Sequence, residues 1–171
     1  MRRRHDDFQA FVRLAVKKGA NALMRERGFK RPGGGWTFFR SHQLEGLSAP
    51  LTHELSVSAT WPEGDVGELR LSVHVATASL PLRTEKVILP LDVEGDAGDL
   101  AVSINHWLRT TGLPWFDVPI DFESVAREAE QRLSSFWSTG ALERCATLWE
   151  LAGQPEDARR IREHGHERSG F

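Results

Sequence analysis

Seven histidines and a single cysteine are the side chains of this chain best suited to metal or nucleophilic chemistry. An ordered zinc site needs three or four ligands. His164 and His166 have His-x-His spacing but bring no third ligand, and no His-Glu-x-x-His pattern is present. His53 and His74 fall on opposite phases of two alternating runs, so they point to opposite sides of a sheet and cannot share an ion. His53, at a strand start, reads as an edge histidine with its polar needs met, and His106, before Trp107 in a helical stretch, as partly exposed. No metal or cofactor site is assigned.

Cys145 lies inside an apolar helical stripe, where a free cysteine behaves as a small hydrophobe. There is no Gly-x-Ser-x-Gly elbow, and no catalytic residue is assigned. Lys30-Arg31-Pro32-Gly33-Gly34-Gly35 is glycine-rich but lacks the order that places a lysine and a hydroxyl after a phosphate-binding turn. It follows a helix and precedes a strand, so it reads as a helix-to-strand turn. Glu54 faces Arg70 or His74 according to register, and cross-strand charge pairing accounts for it without catalysis. Asp117, in Trp115-Phe116-Asp117, reads as a turn brace. Both termini are locally basic (Arg2–Arg4; Arg159, Arg160, Arg162, Arg168), but the net charge of −2 and the lack of a reading motif argue against nucleic acid.

The elements that position these residues follow from periodicity. Residues 6–27 read as one helix with Phe8, Val12, Ala15, Gly19 and Leu23 on its inner stripe, stopped by Gly28. Trp36–Arg40 reads as a strand, and Ser41–Pro50 as a loop. His53, Leu55, Val57, Ala59 and Trp61 alternate with polar residues, and Leu69, Leu71, Val73 and Val75 do the same after the turn Pro62–Asp65. Lys86–Leu89 is a fourth strand, after the interrupted Leu80-Pro81-Leu82. A helix is expected from Asp99 to Thr111, ended by Gly112-Leu113-Pro114, then a rigid connector Trp115–Pro119. Helices over Phe122–Ser138, Ala141–Ala152 and Glu156–His164 follow.

Strands and helices segregate, which makes the class α+β: an N-terminal helix, an antiparallel sheet of about four strands, then about four helices. The 171 residues suit one domain, with helix and sheet in 1–93, a helical part in 94–164 and a flexible tail in 165–171. A chain this long needs no disulfide, and one cysteine forbids an internal one. No run approaches the ~18 apolar residues of a membrane span, and the N-terminal stretch has no apolar signal core, so a cytoplasmic location is expected.

Arg27-Gly28-Phe29-Lys30, Trp36-Thr37-Phe38-Phe39-Arg40, Leu113-Pro114-Trp115-Phe116-Asp117 and Leu151–Glu156 together resemble a family of uncharacterised bacterial α+β proteins. Some of its members resemble immunity proteins of polymorphic toxin systems. The resemblance implies a non-catalytic domain that binds another, toxin-like protein; its motifs are structural and carry no active site. The surface expected to make that contact is the polar sheet face: Glu54, Ser56, Ser58, Arg70, Ser72 and His74. The alternative is a small enzyme or ligand-binding protein with its site between the sheet and the Trp115–Asp117 connector.

Overall fold

A computed structural model describes residues 5–43, 50–60, 66–77, 80–92, 95–133 and 138–168. The expected turn Pro62–Asp65, Trp61, Phe136 and Arg2–Arg4 lie outside the described residues.

The N-terminal stripe of Phe8, Phe11, Val12, Ala15 and Val16 is buried, and Asp6 and Asp7 against Lys17 and Lys18 match the helix dipole. The helix is not continuous to residue 27. It forms α1 (His5–Gly19) and α2 (Asn21–Glu26), with distorted backbone at Ala20 (φ −118°, ψ −37°). The cause is close packing: a Cβ on Gly19 would lie 2.5 Å from the Ala101 carbonyl oxygen, and Gly19's own carbonyl accepts from Asn105 Nδ2 at 3.0 Å. Gly28 (φ 78°) stops α2, with Phe29 N–H donating to the Met24 carbonyl and Gly28 N–H to that of Arg25.

The sheet is an antiparallel meander in the order β1 (Thr37–His42), β2 (Leu51–Thr60), β3 (Val66–Thr77), β4 (Leu80–Asp92). Its dry face buries Phe38, Leu55, Val57, Leu69, Leu71, Val73 and Val75, as the alternation predicts. Two expectations need correction. His53 is not on an edge: β2 pairs with both β1 and β3. The fourth strand is not confined to Lys86–Leu89 but runs for 13 residues from Leu80. Pro81 and Pro90 are tolerated because β4 has an open edge. A register shift between Val75 and Ala76 leaves Leu82 as an extra residue, so Val75 faces Arg83.

Asp96 caps α3 (Ala97–Trp107), its Oδ1 accepting from Gly98 N–H at 2.9 Å. Thr111–Pro114 does not end the helical run, and Trp115–Asp117 belongs to a helix rather than to the expected rigid connector. One wide π-helical turn (Leu108–Gly112) leads directly into α4 (Leu113–Asp117). Pro114 sits in the first turn of α4, just after the Leu113 N–H that donates to the Leu108 carbonyl across the π-helical turn. The true connector is Val118–Asp121. Asp121 then caps α5 (Phe122–Leu133), accepting from Ser124 N–H at 3.1 Å. Ser138 does not close that helix but caps α6 (Thr139–Leu151). Gly153 (φ 74°) turns the chain into α7 (Pro155–Arg168), which runs past the expected stop at His164. The inner residues of α5–α7, including Ala126, Leu133, Cys145, Trp149 and Ile161, join the sheet's dry face and the α1–α3 residues in one core.

Candidate functional site

At one end of the sheet the dry face changes character. Arg40 of β1 lies opposite His53 of β2, His53 opposite Val75 of β3, and Val75 opposite Arg83 of β4. Residues in register share a face. The row Arg40–His53–Val75–Arg83 therefore puts two guanidinium groups and an imidazole on a face whose buried residues are otherwise mainly apolar. The segment packed over this row is α4 and the connector after it.

His53 is only 4% exposed. Its ring stacks on Phe116, with centroids 5.0 Å apart and planes inclined by 11°, and meets the edge of His42 at 4.9 Å. Arg40 Nε donates to His53 Nδ1 at 3.0 Å. A guanidinium only donates, so Nδ1 is the acceptor and the neutral ring carries its hydrogen on Nε2. That Nε2–H has no hydrogen-bond partner among the described residues. Burial pushes the His53 pKa down to about 4, helped by the positive charge of Arg40, His42 and Arg83 and opposed by Asp117. The imidazole is accordingly neutral at physiological pH.

Two further arrangements hold the roof. Arg40 Nη1 donates to the Arg27 carbonyl at 3.1 Å, and its guanidinium lies over the Phe29 ring at 4.8 Å. Asp117 is shared by Arg27 at 3.3 Å and Arg40 at 3.8 Å. Burial lowers the Arg40 pKa, an effect Asp117 opposes. Arg83 Nη2 donates to the carbonyls of Trp115 and, at 2.8 Å, Val118, while its guanidinium stacks on the Trp115 ring at 4.2 Å. Its Nε is buried without a partner.

Between sheet and roof lies a cavity of about 310 Å³. His42, His53 and Asp117 form its polar wall, and Leu51, Phe116, Ile120 and Phe122 its apolar wall, with Val118 and Pro119 from the connector. Such a volume is at the lower end of the range for small-ligand sites. A second hollow of about 380 Å³ lies among α5, α6 and α7, but its charges satisfy one another: Glu130 takes Arg160 at 2.7 Å and the Trp149 indole N–H at 3.0 Å.

The six residues singled out on the polar face come together as three cross-strand pairs, Glu54–His74, Ser56–Ser72 and Ser58–Arg70. None of the six is buried. They lie on the side of the sheet opposite the cavity. Glu54 faces His74 rather than Arg70, and Arg70 sits 4.0 Å from Glu68. Cys145 is buried, and burial together with Glu130 pushes its thiol pKa up to about 11. Lys30 forms a backbone bridge to Phe39, and Pro32–Gly34 is a single 3₁₀ turn, as expected of a connection. No group of three or more potential metal ligands occurs among the described residues, and none of their helices is long and apolar enough to cross a membrane.

Sequence reasoning placed His53 on the dry face and Asp117 beside Trp115, but missed Arg40, His42 and Arg83. The available signal was His53 itself, since a histidine on a dry strand phase requires a partner. No protein-family model, curated protein or solved structure matches the chain.

Proposed function

We propose that this chain is a small-molecule-binding protein whose ligand occupies the cavity between the sheet and the α4–α5 connector. One observation carries the reading: a histidine 4% exposed, its Nε2–H unpaired among the described residues, lines with His42 and Asp117 one wall of a cavity whose opposite wall is apolar. An unpaired donor on one wall, with apolar surface opposite it, has the make-up of a ligand pocket. Binding fits better than catalysis. The basic nitrogen of His53 already accepts from Arg40, its pKa of about 4 makes it a poor general base at neutral pH, and among the described residues no serine, threonine or cysteine lines the cavity.

A fragment screen by thermal shift and ligand-observed NMR tests this, run in parallel on the wild type and on Ile120→Trp, which fills the cavity. Hits that stabilise the wild type and are lost in Ile120→Trp support the site. A screen with no hits, or with hits indifferent to the variant, refutes it.

A second reading is a protein contact on the opposite sheet face, with a partner of the toxin class that the family resemblance implies. The three cross-strand pairs there form a continuous polar surface. Arg70→Glu with His74→Glu should then weaken any isolated protein partner, and an unchanged affinity removes that reading.

A further inference from the structure

We propose that the ligand is a small carboxylate with an apolar body, one carboxylate oxygen accepting from His53 Nε2–H and the body lying against Leu51, Ile120 and Phe122. The inference rests on the cavity reading above and names the class of molecule it takes.

Charge supports it first. The groups closest to the imidazole are Arg40 and His42 from β1, Arg83 from β4, and Asp117 from α4, with Arg27 behind Asp117. Three guanidinium groups therefore stand against one carboxylate, which pairs with Arg27 and Arg40 but not with Arg83. Asp117 is about half exposed, and its contacts to Arg27 and Arg40 are long, at 3.3 and 3.8 Å. The same positive field that disfavours a proton on His53 favours an anion beside it. Donor geometry supports it next. Arg40 holds the ring in the tautomer with its hydrogen on Nε2, and His53 lines the cavity, so a ligand group that meets Nε2–H must be an acceptor. The walls complete the case. A single His53 N–H on the polar wall, with Leu51, Ile120 and Phe122 opposite, suits a monoanion on an apolar body, whereas a phosphate needs several donors for its oxygens.

The test compares benzoate with benzamide, matched in shape and differing in charge, by calorimetry near pH 6. Benzoate should bind about tenfold more tightly, the margin of a charge-assisted over a neutral hydrogen bond. Asp117→Asn, at a site about half exposed, should tighten benzoate severalfold and leave benzamide unmoved. His53→Phe should reduce benzoate to the level of benzamide. In imidazole NMR, saturating benzoate should raise the His53 titration midpoint, and benzamide should not. Equal binding of the two probes, or benzoate indifferent to Asp117→Asn, overturns the carboxylate inference and leaves the cavity reading standing. Failure of both probes to bind, with Asp117→Asn folded, overturns both.

Discussion

His53 should make the stability of this protein depend on pH in a way that a single substitution removes. The folded ring has a pKa of about 4, against 6.5 for an ordinary imidazole. Between these values the unfolded chain binds a proton that the folded chain refuses, so stability is full above about pH 6.5 and falls as the pH drops toward 4. At about 1.4 kcal/mol per pH unit, the loss from pH 7 to pH 4.5 is about 2 kcal/mol. That is a sizeable share of the 5–15 kcal/mol typical of a domain. Because the ring is almost wholly buried, solvent screening reduces the figure little; the groups facing it are Arg40, His42, Arg83 and Asp117. Urea unfolding of the wild type and of His53→Phe at both pH values isolates the effect, since other titrating groups contribute to both proteins. The wild type should lose about 2 kcal/mol more than the variant, with unchanged m-values. Imidazole ¹⁵N spectra give the direct check. A midpoint near 6.5, or a hydrogen on Nδ1, refutes the Arg40–His53 arrangement and the argument built on it.

Two other outcomes follow from the packing. Gly19→Ala should destabilise by about 1–3 kcal/mol in chemical denaturation, because its Cβ would meet backbone atoms of Ala101, which cannot move aside like a side-chain tip. Cys145 should resist iodoacetamide at neutral pH and react fully in urea, since a buried thiol with a pKa near 11 offers little thiolate; rapid labelling of the native protein would show that α5 and α6 do not seal it.

The elements that were legible are those whose periodicity meets no interruption. The alternation of Leu55 and Val57 with Ser56 and Ser58, and of Leu69, Leu71 and Val73 with Arg70 and Ser72, set both faces of the central hairpin correctly, and its polar face came out as read. Local stop signals misled where tertiary packing decides. Gly112-Leu113-Pro114 has the composition of a helix end, yet the π-helical turn lets Pro114 open α4, with Gly112 against the Trp107 ring. The break at Ala20 depends on the approach of α3, which lies some eighty residues away in the chain. Arg83 was hidden for a different reason. Strict alternation from Leu80 and Leu82 assigns it to the wet side, and only the extra residue at Leu82 turns it under α4. Arg40 shares the phase of the buried Phe38, but its charge argued for exposure.

The polar row beneath α4 costs stability that an apolar row would not, because two partly buried guanidinium groups give up water for it. What they gain in return is position. Arg40 spends its donors on the Arg27 carbonyl and on His53, and Arg83 on the carbonyls of Trp115 and Val118. These are backbone groups at the ends of α2 and α4, which have few intrahelical partners of their own. The two arginines thus act as struts of fixed length between sheet and roof. The cavity that His53 lines lies between the same sheet and roof.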